Sequence, residues 1–511
     1  MLFGDLIENG MKRNPLGEAV RLGADVLTYI ALADAVERAS GAFLFHGLKA
    51  GDRIAVYLPK SLETVIALFG AARAGGVFVP INPVLKARQV NHILADSGAA
   101  FLITSADRLA ALRQQGEAFP ETVREVVLLD EDWGQFLAAG SSGAVGHPAP
   151  DDLAALLYTS GSTGLPKGVM LSHRNLTMGA KSVASYLDNS SSDRILCALP
   201  LSFDYGLSQV STALLTGATA VLINHLFPQD IVRALERDAI TGLACVPPLW
   251  LQVLGLEWPE SIAGTLRYVT NSGGRMPRHA IDALRSRLPQ TKIFLMYGLT
   301  EAFRSTYLDP AEVDTRPDSI GKAIPHACID VIDADGQSAA PGEPGELVHS
   351  GPLVAKGYWN DPVRTAARFR PLPPAFGSLD PAVWSGDTVT RDVDGFLYFV
   401  ERQDNMIKTS GYRVSPTEVE DVLYEVAGVA EAVAVGVPHP ALGQAIVCMV
   451  TLRDEDETSS DDVLAHCRAQ LPGYMVPKAV ILRESLPRNP NGKIDRSGLA
   501  HELSGMFGVA A

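Results

Sequence analysis

Apolar positions in the first hundred residues switch between two periods. Tyr29 to Leu44 repeats at helical spacing, and Arg53 to Leu58 is a short apolar run stopped by Pro59. Ser61 to Ala74 returns to helical spacing, and Gly76 to Ile81 reads as a strand. Alternation of this kind predicts a mainly parallel sheet with helices on both faces. It reappears from Arg194 to Phe294. Leu153 to Leu157 reads as a buried strand, and residues 137–150, rich in Ala, Gly, Ser and Pro, as the surface connection before it. The most apolar long segment, Val65 to Ile81, is broken by Arg73 and three glycines, so it reads as helix then strand and not as a membrane span.

The pattern changes near the C-terminus. Thr388 to Val393 and Phe396 to Val400 flank Asp394-Gly395, a hairpin signal. Ser415-Pro-Thr-Glu418 predicts a capping box, with Ser at the N-cap, Pro first in the helix and Glu three residues on. The helix should run to about Glu425. Strands Val429 to Val437 and Ala445 to Leu452 and a helix Asp461 to Leu471 complete a small α+β unit. A chain of 511 residues is too long for one ordinary core, so two or more domains are expected.

Composition narrows the function. A formal charge of −15 argues against a nucleic-acid binder, although a local basic pocket can still hold anions. Cys197, Cys245, Cys328, Cys448 and Cys467 are scattered and form no Cys-x-x-Cys pair, which suits buried thiols in a reducing cytoplasm. The N-terminus carries acid early and lacks a basic region before an apolar core, so no signal peptide and a cytoplasmic location are expected.

The chemistry concentrates in Tyr158-Thr-Ser-Gly-Ser-Thr-Gly-Leu-Pro-Lys-Gly-Val169. Gly161 and Gly164 let backbone N–H groups approach a ligand, Thr159, Ser160, Ser162 and Thr163 add hydroxyl donors, and Lys167 adds charge. Together they read as a phosphate-gripping loop. A Walker loop needs Gly-Lys followed by Ser or Thr; here Pro166 precedes Lys167 and Gly168 follows it.

This stretch resembles the signature loop of the acyl-adenylate-forming superfamily, which includes acyl-CoA synthetases, peptide-synthetase adenylation domains and luciferases. The resemblance extends through the chain to Lys493. It implies an α/β fold with a large N-terminal lobe of parallel-sheet subdomains, residues 1–403, and a small hinged C-terminal α+β domain, residues 404–511. Asn271-Ser-Gly-Gly-Arg-Met-Pro277 resembles the loop that stacks on adenine, giving Ser272, Gly273 and Gly274 to the nucleotide site. Tyr297-Gly-Leu-Thr-Glu301 matches a family motif. The match implies that Tyr297 and Gly298 lie at adenine, Thr300 at the α-phosphate or substrate carboxylate, and Glu301 on Mg²⁺. Ser385-Gly-Asp387 stands where the family usually has Thr-Gly-Asp, which puts Asp387 on the ribose hydroxyls. In Glu401 to Arg413, Arg402 is implied to contact ribose or phosphate, Asp404 to be the pivot, and Gly411 to border the thiol tunnel. Glu401 departs from the usual Gly. Lys493, in a Pro/Asn/Gly turn, resembles the mobile catalytic lysine.

The substrate pocket is implied by Leu199 to Gln209, with Phe203 where many acyl-CoA ligases have His. Tyr205 and Ser208 follow. Asp204 falls where amino-acid-activating domains bind the substrate ammonium; a helix cap or solvated turn is the alternative. Arg304 either neutralises Asp204 or binds a second anion on the substrate. The implied reaction attacks the α-phosphate of ATP with a carboxylate, releases pyrophosphate, and passes the acyl group to a pantetheine thiol, giving thioester and AMP. Electrostatics and positioning carry such chemistry. At finer grain the chain looks like bacterial acyl-CoA ligases associated with exosortase-type exopolysaccharide loci. CoA is one acceptor; phosphopantetheine on a separate carrier protein, loaded by a stand-alone amino-acid ligase, is the alternative. An adenylate-dependent oxygenase or a non-catalytic relative is a third reading.

Overall fold

The computed structural model describes residues 1–114, 119–140, 146–159, 166–377, 381–402, 406–452, 458–488 and 494–508. The alternating N-terminal pattern folds as expected. Thr28 caps the helix Tyr29–Phe45 by accepting from the Ala31 N–H, and Ser61 caps Leu62–Arg73 by accepting from the Thr64 N–H. The strands Glu125–Leu128, Ala99–Thr104, Arg53–Val56, Val77–Pro80 and Leu153–Thr159 run parallel in that spatial order, and Lys167–Ser172 closes the edge antiparallel.

A second sheet holds Glu18–Leu22, Thr219–Leu222, Arg194–Cys197, Gly242–Cys245, Tyr268–Asn271 and Lys292–Tyr297, all parallel. Between the two sheets lie helices that are apolar on nearly every side. In Asp204–Thr216 only Leu215 escapes full burial, as expected of a helix with no solvent face. Phe3 stacks on Phe69 at 4.3 Å in the same core.

The second sheet then continues antiparallel through Thr306–Leu308, Ser319–Ala323, Leu397–Arg402, Pro381–Arg391, Pro344–Ser350 and Cys328–Ile332. Parallel alternation did not foreshadow this half. Its strands join mostly through turns, with the helix Pro362–Arg368 as one exception, so only the Asp394-Gly395 hairpin announces it. Gly395 there has φ +85°. Four cysteines are buried, but Cys328 is exposed on the last strand of that antiparallel edge, which corrects the expectation of five buried thiols.

The small unit has five strands, with Tyr412–Val414, Ile407–Thr409, Gly443–Leu452 and Val429–His439 in order and Ala479–Leu482 also paired to Gly443–Leu452. Period-two alternation gives its sheet two apolar faces. Ala432, Ala434, Ile446 and Cys448 pack one way, under the helices Pro416–Tyr424 and Ser460–Gln470. Val433, Val435, Val447 and Met449 pack the other way, against Leu486, Ile494 and Leu499. No helix among the described residues is long and apolar enough to cross a membrane.

Candidate active site

The strands of the large lobe converge, with the small unit, on one cavity of about 1280 Å³. That is room for a nucleotide, an acid and a thiol-bearing arm. Its floor is built from a hairpin, a strand end and a bridged loop residue.

The first is the hairpin Leu153–Thr159 / Lys167–Ser172, in which Thr159 pairs with Lys167. Ser160, Gly161, Ser162, Thr163 and Gly164 span its tip and lie outside the described residues. The second is the strand Lys292–Tyr297, which delivers the short 3-10 turn Thr300–Ala302. The third is Tyr358, held beside the hairpin by a backbone bridge to Val169 and by the hydrogen bond from the Met170 N–H to the Gly357 carbonyl at 2.9 Å.

These three meet at Glu301. Lys167 Nζ is 3.6 Å from Glu301 Oε1 and 3.9 Å from the centre of the Tyr358 ring. The Tyr358 hydroxyl donates to the same Oε1 at 2.7 Å. Burial pushes the Glu301 pKa up, but Lys167, Arg368, the Tyr358 hydroxyl and Arg413 outweigh it and hold it at about 2. Burial draws the Lys167 pKa down, against the pull of Glu301. Glu301 Oε2 accepts no hydrogen bond among the described residues and is not sealed from the cavity. An ionised carboxylate with an oxygen turned to the cavity is the donor a hard divalent cation needs.

Beside this corner Tyr297 donates its hydroxyl to Asp387. Asp387 is fully buried; its N–H is fixed by Ser385 Oγ at 3.1 Å, and its backbone is in register with Arg402. Arg368 donates to the Ser385 carbonyl. Gly273 and Gly274 line the cavity with Ser272. The expected nucleotide residues Thr159, Lys167, Ser272, Gly273, Gly274, Tyr297, Gly298, Thr300 and Glu301 therefore border one space.

The acid-binding wall follows Leu199 to Tyr205. Phe203, Asp204, Tyr205 and Arg304 border the large cavity. Asp204 is buried in the first turn of its helix and is not the N-cap, which is Phe203. Its Oδ1 accepts from Thr300 Oγ1 at 3.1 Å. Arg304 does not pair with it; the guanidinium donates instead to Ser272 Oγ at 2.6 Å. Ser208 is absent from this wall. One helical turn deeper than Asp204, it faces a separate void of about 20 Å³ with Gln209 and Thr212.

The small unit reaches in with the turn Ser410–Gly411 between Ile407–Thr409 and Tyr412–Val414. Gly411 has φ +82°, and a Cβ there would sit 2.5 Å from Val246 Cγ2. Only glycine allows both the turn and this approach. Tyr412 stacks on Tyr474 at 3.8 Å, and Arg88 pairs with Glu425 across the seam. Asp404 and Lys493 lie outside the described residues.

Comparison with known proteins decides the family. Residues 7–359 match the AMP-binding enzyme family, and residues 418–493 match the AMP-binding enzyme C-terminal domain. The chain belongs to the AMP-binding enzymes. It is 34% identical to a feruloyl-CoA synthase of Amycolatopsis sp, covering 94% of this chain and 95% of that one. It is 32% identical to a long-chain-fatty-acid–CoA ligase of Salmonella typhimurium, covering 94% and 91%. A double mutant of o-succinylbenzoate CoA synthetase from Bacillus subtilis, bound with its product analogue OSB-NCoA, superposes with TM-score 0.86 at 27% identity, covering 97% and 98%. The same synthetase in complex with AMP covers as much but superposes with TM-score 0.69.

Several residues of this AMP-binding enzyme escaped the sequence reading. Tyr358, Arg368 and Arg413 all act on Glu301. The signal for Tyr358 was Lys356-Gly-Tyr-Trp-Asn360, an aromatic pair behind a glycine with φ +121°. The predicted capping box does not form. The helix starts at Pro416 as expected, yet among the described residues Ser415 Oγ has no hydrogen-bond partner, and both buried Glu418 carboxylate oxygens have none. Glu418 borders the cavity instead. Burial, partly offset by Arg88 and reinforced by Asp421, pushes its pKa up to about 8.

Proposed function

We propose that the large lobe holds ATP and the acid in place while the small lobe supplies a different group to each half-reaction. The chain is an AMP-forming acid–thiol ligase of the acyl-CoA synthetase type: a carboxylic acid and ATP give an acyl-adenylate and pyrophosphate, and CoA then gives the thioester and AMP. The observation that carries the residue roles is the Glu301 corner, where an ionised carboxylate, Lys167 and two arginines surround a space open to a polyphosphate.

In the first half-reaction the acid's oxygen attacks the α-phosphate, and the bond to pyrophosphate breaks. Charge grows on phosphate oxygens, so fixed cations are the main tool. Lys167 and the hairpin tip restrain the outer phosphates. Tyr297 and the Ser272–Gly274 loop take adenine, Asp387 the ribose, and Arg402 ribose or phosphate. Thr300 orients the acid or the α-phosphate. Glu301 holds Mg²⁺, which supplies charge neutralisation when bound. Lys493 bridges the carboxylate and α-phosphate.

In the second half-reaction the small lobe, residues 404–511, turns about Asp404. A pantetheine thiol reaches the adenylate past Gly411, its sulfur bonds the acyl carbon, and AMP leaves. The arrangement described here fits this second pose. Gly411 is against Val246, while Ile494, next to Lys493, packs on the sheet face opposite Tyr412 and Tyr474. The better superposition on the product-analogue complex supports the same reading.

The test is Lys493→Ala, assayed in both half-reactions. Pyrophosphate exchange into ATP should fall by about 10²–10³-fold, while thioester formation from supplied acyl-adenylate should stay within a few-fold. Exchange at the parent rate would overturn the assignment.

A second reading, an amino-acid ligase loading a separate carrier, is favoured by one observation, the buried Asp204 on the acid wall. Exchange driven by amino acids alone, with a holo-carrier preferred over CoA, would establish it.

A further inference from the structure

Arg304 is 2% exposed, among the largest fully buried side chains of the protein. Its position is fixed. Its N–H bonds the Ala302 carbonyl at 2.6 Å, and a Cβ on Gly298 would fall 3.0 Å from its Cα and 3.3 Å from its Cδ, so the arm lies close over that glycine. The guanidinium sits 4.5 Å from the centre of the Tyr205 ring and gives Nη1 to Ser272 Oγ. These partners are neutral.

A buried guanidinium normally has a carboxylate beside it, because an uncompensated buried charge is costly. Here the two nearby carboxylates are engaged elsewhere. Glu301 is held by Lys167 and Tyr358, and Asp204 is bonded to Thr300 with no ion pair to Arg304 among the described residues. Nε is sealed without a partner. The small void it shares with Gln209, whose amide is also unpartnered, has room for one water, which brings no charge. Nη2 has no hydrogen-bond partner among the described residues and is not sealed, and the Arg304 side chain borders the large cavity as well as the small void.

We propose that the acid activated by this chain carries a second anionic group, a dicarboxylic acid in the simplest case, and that Arg304 binds the far carboxylate. The inference rests on the ligase reading above and names the class of its substrate. The planar guanidinium fork matches a carboxylate, and its prior fixing by Ser272 and Tyr205 means little ordering is left to do on binding. Burial raises the Asp204 pKa against the pull of the Arg304 charge and the Thr300 hydrogen bond, so Asp204 feels Arg304 without forming an ion pair with it, and its shift toward the neutral form lessens its repulsion of a second anion on the same wall.

The experiment is pyrophosphate exchange by the full-length enzyme with length-matched pairs, hexanoate against adipate and benzoate against isophthalate. It is run on the wild type, Arg304→Gln and Arg304→Lys, with ATP affinity and Tm measured alongside. The diacid should exceed its partner in kcat/KM by roughly 100-fold, since a site built for a polar group rejects an analogue lacking it. Arg304→Gln should erase that ratio by lowering the diacid far more than the monoacid, and Arg304→Lys should keep part of it. Monoacids equal to or better than diacids in the wild type would overturn the proposal, whether or not the variants fold. So would an Arg304→Gln enzyme that loses both acids equally. Monoacid exchange without a diacid preference would sink this inference and leave the ligase reading standing; exchange with no acid of either set would sink both.

Discussion

The cavity contains two charged regions built to opposite rules. At Glu301 every charge has an opposite within reach: Lys167 at 3.6 Å, a tyrosine hydroxyl at 2.7 Å, and Arg368 and Arg413 close enough to pull its pKa down to about 2. At Arg304 and Asp204 a buried cation and a buried carboxyl share a wall and do not pair. The first region pairs its carboxylate within the protein and keeps one Glu301 oxygen and spare cations for the cavity, which suits the invariant magnesium-bound polyphosphate proposed above. The second is incomplete without a ligand, so it is where the identity of the acid can be read. Glu418, across the seam, is a third case, a carboxyl whose two buried oxygens have no hydrogen-bond partner among the described residues.

Breaking the Glu301 region should have the largest effect and be blind to substrate. Glu301→Gln should lower pyrophosphate exchange by about 10²–10³-fold for every acid tested, leaving ratios between acids unchanged. A change in those ratios would mean that the two regions are not separate. Asp204→Asn should do much less. It weakens one hydrogen bond from Thr300, worth about 1 kcal/mol, so kcat/KM should fall several-fold for acids without an amine. Abolished activity would instead support an ammonium bound at Asp204.

The smallest effect is on stability at Glu418, and its sign follows from proton linkage. The ordinary carboxyl value is 4.5 and the folded value is about 8. Between these the folded protein keeps a proton that the unfolded chain releases, so stability declines as pH rises through this window and levels off above it. Glu418→Gln should remove that decline, gaining about 1–3 kcal/mol near pH 9 and almost nothing near pH 4. Thermal unfolding of both proteins at the two pH values measures it. Parallel curves would mean that Glu418 finds a partner in solution.

What could be read from the chain were features whose cause is local. Tyr297 to Glu301 was legible because an apolar strand, a glycine and a 3-10 turn are written consecutively. The turn at Asp394-Gly395 is equally short-range. What could not be read depends on distant partners. Tyr358 reaches Glu301 only because its backbone bridges to Val169. Ser208 shares a helix face with Asp204 at i+4, yet the cavity ends at the helix's first turn, leaving Ser208 against the small void. Ser415 to Glu418 has the residue types of a capping box, but Glu418 faces the space between the lobes. Arg304 was recognised as a candidate, though whether it met Asp204 or Ser272 was decided by packing alone.

On the roles proposed for Gly411 and Lys493, the two-faced sheet of the small lobe would order the two half-reactions. Gly411 enters from one side, and the residue following Lys493 is anchored on the reverse, with a layer of valines between. Whichever side is presented, the other is turned away. If Lys493 activates the acid and the thiol enters past Gly411, as proposed above, the thiol would not arrive while the lysine is engaged, nor the lysine return while the channel is occupied. Order in time would then follow from mutual exclusion in space.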